Sequence, residues 1–171
     1  MQFLALTILG FAGMEAFSYV VHRWLFHGMF WGVHKTHHYP RKGAFEMNDL
    51  FSVGFALVSV ALIVFAEYPL SESIAFPVGL GIAIYGILYF IVHDLFTHRR
   101  FLPFISKNSV LLSIRGAHQT HHQTVAKDGQ EPYGLFVYNY SRFKGRKSER
   151  IDRSVKAVGV GAGRNDPNAG P

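Results

Sequence analysis

The sequence predicts an all-α, integral membrane helical bundle, and three observations carry that reading. Apolar residues make up 49% of the 171 positions and charged residues 16%, well under the roughly 25% usual in soluble domains. Three apolar stretches, residues 3–21, 50–66 and 74–92, each have about the 17–25 residues that a helix needs to cross a bilayer. All 17 Lys and Arg lie within residues 23–42 or 99–164, so the charge that orients a membrane protein is confined to two segments.

The first stretch carries Glu15 but lacks the basic start and small-residue cleavage site of a signal peptide, so it reads as a retained helix. Residues 67–73 hold Pro69 and are a short connection suited to an antiparallel hairpin between the second and third. The positive-inside rule puts the N-terminus outside and both basic segments in the cytoplasm. That needs an odd number of spans, and three satisfies it. A fourth would have to use residues 101–114, only 14 positions including Pro103 and Lys107, where an interfacial helix is the better expectation. The length suits one unit. Residues 1–140 form the membrane domain. Residues 141–171 are a basic tail, rich in Gly, Asn and Pro towards its end, with the composition of a disordered segment. Its cations could also rest on anionic lipid.

Composition also excludes chemistry. Cysteine is absent, which rules out disulfides and thiolate metal sites and leaves histidine, carboxylate or backbone oxygen as ligands. The net charge of +6 does not come with aromatics interleaved among the basic residues, as a nucleic-acid surface requires.

All ten histidines belong to one pattern written twice. His22-x4-His27 precedes His34-x2-His37-His38, and His93-x4-His98 precedes His118-x2-His121-His122. Each copy begins at the cytoplasmic end of an expected span, so three spans bring both to one membrane face. On a helix, residues at i, i+3 and i+4 share a face, so each x2 cluster converges. Residues five apart do not share one on an ideal α-helix, so each x4 pair is expected where its helix distorts or stops. Gly28 and Gly32 would permit that exit after His27. Ten imidazoles exceed one four-ligand centre and suit two metal ions, whose element imidazole alone does not name. Glu15, Tyr19 and His22 fall at i, i+4 and i+7 of the first helix. Glu15 is therefore expected to orient a ligand imidazole by accepting its hydrogen bond, with Tyr19 and Asp94 as further supporting candidates.

With these residues in view, the chain resembles the bacterial β-carotene 3-hydroxylases, within the wider fatty-acid hydroxylase and sterol desaturase superfamily. The likeness runs from about residue 13 to 135. It is carried by Gly13-Met14-Glu15, the histidine sets, Pro40-Arg41-Lys42-Gly43-Ala44-Phe45-Glu46 with Asn48-Asp49-Leu50, and Leu88-Tyr89-Phe90 before His93-Asp94. Gln130-Glu131-Pro132-Tyr133 and the tail beyond Ser141 fall outside it. The resemblance implies that the ten histidines hold two non-haem iron ions, that O2 is the co-substrate, and that carbon 3 of a β-ionone ring is hydroxylated. β-Carotene would pass through β-cryptoxanthin to zeaxanthin. No nucleotide fingerprint, flavin motif, haem signature or cysteine cluster delivers electrons, so the resemblance implies a ferredoxin-type donor. The main rival is a hydroxylase or desaturase of another lipid, an acyl chain or sterol. A metal transporter would place its ligands near the bilayer midplane, and a bis-histidine haem protein would leave most of the ten unused.

Overall fold

Among the residues that the computed structural model describes, 1–39, 43–124 and 127–143, all regular structure is helical. Helix α1 (Gln2–Val20) runs on as a π-helical segment, Val21–Met29, and α4 (Ala75–Tyr89) runs on likewise through Phe90–Thr97. These two continuous helices, of 28 and 23 residues, are long and apolar enough to cross a membrane. The remaining apolar stretch forms α3 (Asp49–Val64), a shorter helix of 16 residues. Its start carries Asp49, whose charge suits the positive end of the helix dipole. Three short helices complete the regular structure of the described residues: α2 (Trp31–His38), α5 (Ser109–His121) and α6 (Tyr140–Phe143).

α4 packs against both α1 and α3. Its contact with α1 is close because two glycines meet there. A Cβ on Gly81 would stand 2.2 Å from Thr7 O, and one on Gly10 would stand 2.5 Å from Val78 O. Small residues let apolar helices approach in this way where packing, not water exclusion, holds them together. Ser59 in α3 adds a hydrogen bond to Gly79 O at 2.9 Å. Large apolar side chains on the outward faces stay exposed, Leu4, Leu57, Val64 and Ile87 each by about 60%. The apolar helices mark the chain as membrane-associated.

The structure corrects the expectation for residues 101–114. The helix expected within residues 101–114 begins at Ser109, because Asn108 accepts from the Val110 and Leu111 amides at 2.9 and 3.1 Å and caps it there. Such a cap contributes about 1 kcal/mol. The helix then runs on into the second histidine cluster. At the expected tail boundary, α6 continues to Phe143, which is buried. The rest of the tail, like residues 40–42, lies outside the described residues.

Candidate metal centre

The helices aim the histidines. His34, His37 and His38 lie on α2, and His118 and His121 lie on α5 with His122 at its C-terminal cap. The x4 pairs sit in the two π-helical segments, with His98 at the end of the second. There the backbone bonds from i to i+5, as His98 N does to His93 O at 2.9 Å. Residues five apart therefore come round to nearly the same face, which an α-helix would not allow. After His27 the helix breaks at Gly28 (φ −106°, ψ −109°), and α2 turns back beneath it; Gly32 lies inside α2 and makes no exit.

Two groups of imidazoles result. His22, His27, His34, His38 and His121 bring five ring nitrogens within 4.8 Å of one another, and His37, His93, His98 and His118 bring four. His122 stands between them. Its ring centroid is 4.4 Å from those of both His38 and His118, and its buried Nε2 has no hydrogen-bond partner. The groups do not follow the two copies of the pattern. His121 sits with the first copy, and His37 sits with the second.

In the first group every outward nitrogen has an acceptor. His38, His27, His121 and His22 donate through Nδ1 to the main-chain carbonyls of Thr124, Lys127, Gln130 and Tyr133, at 3.1, 3.0, 2.5 and 2.7 Å. One segment thus offers a carbonyl at every third residue to four imidazoles of the first group. The fifth, His34, donates to Asn48 Oδ1 at 2.7 Å. In the second group His37 donates to Glu46 Oε2 at 2.9 Å.

These acceptors fix the proton on Nδ1 and leave a lone pair on Nε2. Yet the Nε2 atoms face each other: His22 and His34 at 3.0 Å, His27 and His121 at 3.2 Å, His34 and His38 at 3.2 Å. Lone pairs so placed repel unless a cation lies among them. Two imidazoles at right angles on one ion, each about 2.1 Å from it, would stand about 3 Å apart. The donor set therefore fits metal. Burial keeps the imidazoles outside the spanning helices in the neutral, ligating form. Loss of hydration first, and neighbouring imidazoles after it, push His38 down to about 4, His121 to about 3 and His34 to about 2. His37, His118 and His122 are pushed down by the same causes.

A cavity of about 510 Å³ lies between α1, α3 and α4, walled by apolar side chains such as Met14, Phe51, Phe55, Ile82 and Ile87. A smaller one of about 30 Å³ touches His22, His34, His37, His93 and His118. Ser18, Phe26, Asn48 and Tyr89 line both, so apolar space leads up to the imidazoles.

The family model for fatty acid hydroxylases matches residues 7–144. The chain belongs to the fatty acid hydroxylase family. Among curated relatives of this family member, a β-carotene hydroxylase of Pantoea ananas is 36% identical over 92% of the chain and 91% of its own length. One from Pseudescherichia vulneris is 40% identical over 78% of the chain and 74% of its own length. The chloroplastic β-carotene 3-hydroxylase 2 of Arabidopsis thaliana is 38% identical over 78% of the chain, which spans 44% of that longer protein. No solved structure matches.

In this hydroxylase two of the three residues expected to support the ligands, Glu15 and Tyr19, have other partners. The Glu15 carboxylate accepts from Tyr85 OH at 2.8 Å and from the amides of Phe136 and Val137 at 2.9 and 2.8 Å, and no imidazole is among its partners. It ties the 133–137 segment to α1 and α4, and so reaches His22 only through the Tyr133 carbonyl. Tyr19 donates to Glu131 at 2.7 Å, and Arg23 pairs with the same carboxylate. Asp94 does stand by a ligand, with Oδ1 3.4 Å from His93 Nδ1. Sequence reasoning missed the roles of Glu46, Asn48, Arg100 and the 124–133 carbonyls. Polar residues 46, 48 and 49, placed just before an apolar helix, were the available signal for the first two.

Proposed function

We propose that the chain is a β-carotene 3-hydroxylase, a non-haem di-iron monooxygenase whose ten histidines hold both ions. The observation that carries this is the apolar cavity adjoining the small one that the imidazoles line, with Ser18, Phe26, Asn48 and Tyr89 common to both. Two iron ions there would supply the activation of O2 and the oxidising power that an unactivated C–H bond requires, since such a bond offers no handle to an acid, base or nucleophile. The balance is one C–H bond and O2, with two electrons and two protons, giving one C–OH bond and water. The chain's own residues do the rest. The cavity takes a β-ionone ring from the bilayer, Phe26 and Tyr89 flank its approach to the imidazoles, and the apolar walls exclude water.

The same reading places α1, α3 and α4 across the bacterial inner membrane. α3 would cover about 24 Å of a hydrocarbon core of about 30 Å, with the Asp49 end at the cytoplasmic face beside the histidines. Electrons come from a ferredoxin-type protein docking on that basic face.

Expression in a β-carotene-producing bacterium tests the assignment. β-Cryptoxanthin and zeaxanthin should form; no new polar carotenoid would point instead to an acyl-chain or sterol substrate.

A further inference from the structure

The two histidine clusters differ in what stands behind them. Behind the first are four main-chain carbonyls and the Asn48 amide, all uncharged. Behind the second are carboxylates: Glu46 holds His37, and Asp94 lies against His93. Arg100, 2% exposed, joins them. Its Nη1 donates to Asp94 Oδ1 at 2.9 Å and to Asp49 Oδ1 at 2.8 Å, and its Nη2 donates to Asp49 Oδ2 at 2.6 Å and Ala44 O at 3.0 Å. Glu46 Oε2 is 4.0 Å from Nη1, and Asp49 accepts from the Glu46 amide at 2.9 Å. Three carboxylates thus surround one guanidinium, and negative charge is in excess beside the second cluster.

The backbone is bent to achieve this. Arg99 and Phe101, at φ 52° and 49°, are the only non-glycine residues with positive φ among those described, and they bracket Arg100. That conformation is unfavourable for residues with a Cβ and persists where surrounding contacts over-determine it.

We propose that Arg100 is a positioning residue for the second cluster and that its carboxylate network makes this the tighter of two unequal metal sites. The proposal rests on the ten-histidine reading above. A carboxylate accepting from a ligand imidazole makes that ligand more basic, and excess negative charge nearby favours a dication. The planar guanidinium spans Asp49, Asp94 and the Ala44 carbonyl at once, which the single ammonium of lysine cannot do.

The test is a Co2+ titration of the full-length chain, purified in detergent and stripped with chelator, followed by the visible absorption of histidine-bound cobalt. Two successive steps are expected. His34→Ala, which removes one of the first cluster's five ligands, should weaken only the weak step, and His118→Ala, which leaves three ligands in the second cluster, should remove the tight step and leave the weak one. Glu46→Gln, nearly isosteric, and Arg100→Gln should weaken the tight step by about 10–100-fold and spare the other, with no rescue in Arg100→Lys. Two equal steps, a tight step surviving in His118→Ala, or equal weakening of both steps by Glu46→Gln would overturn the proposal. Absence of any cobalt binding would overturn the ten-histidine reading with it. None of these readouts depends on which lipid is hydroxylated.

Discussion

His37 Nε2 lies 3.2 Å from His93 Nε2, and His121 Nε2 lies 3.2 Å from His27 Nε2. The two residues hold the same place in the two copies of the histidine pattern, and each sits among the other copy's imidazoles. His37→Ala should therefore damage the cluster built on α4 and α5, and His121→Ala the one built on α1 and α2. Each should nearly abolish hydroxylation and lower bound metal from about two ions per chain, the number that ten imidazoles suit. Metal per purified chain and product formed at equal membrane abundance check this; unchanged values in both variants would contradict the ligand assignment.

Glu15→Gln should cost little, because one amide oxygen still accepts from Phe136 and Val137 while the Tyr85 hydroxyl can turn to accept from the new NH2. Glu15→Leu takes the carboxylate acceptor from the part-buried Phe136 and Val137 amides, at about 0.5–1.5 kcal/mol each, and from the buried Tyr85 hydroxyl. Thermal unfolding should separate the two variants, and metal content should fall in Glu15→Leu as the Tyr133 carbonyl loses its position.

Acid should destabilise the metal-free chain. An unfolded histidine takes up a proton near pH 6.5, whereas folded His38, His121 and His34 resist to about 4, 3 and 2. The unfolded state therefore binds more protons between those limits, and stability falls as pH drops below about 6.5. For His38 the loss is complete once pH has passed about 4. A melting temperature that is flat from pH 7 to 5 after chelator treatment would refute this.

Reporter fusions after residue 70 should read as periplasmic and those after residue 145 as cytoplasmic. A cytoplasmic reading at residue 70 would mean that α3 does not cross.

Turnover at limiting ferredoxin should fall as ionic strength rises, because an acidic donor is steered to a basic face by fields that salt screens. Indifference to salt would remove the electrostatic part of donor recognition.

The apolar runs and the i, i+3, i+4 histidines made the helices and their ligand faces legible in the sequence, and the awkward spacing of five marked where each helix departs from α geometry. The exchange of His37 and His121 was not legible, because it depends on how α2 and α5 face each other across the bundle. Glu15 misled for a related reason: it shares a helix face with His22, but its carboxylate turns towards α4 and the 136–137 amides. By sequence Arg100 is one of the charges that orient the membrane domain, and only its left-handed neighbours and three carboxylates reveal its buried place.

Four of the first cluster's five outward contacts are to main-chain oxygens at residues 124, 127, 130 and 133. Every amino acid carries such an oxygen, so most side-chain replacements in this segment leave those contacts chemically intact. Length is another matter. Adding or deleting one residue between His122 and Tyr133 would slide carbonyls out of step with fixed imidazoles. Related chains should therefore tolerate varied residues at most positions here, Gly129 apart, where φ is 66° and a Cβ would stand 2.7 Å from His27 Nδ1, and resist gaps, so that the segment's message is written mainly in its count.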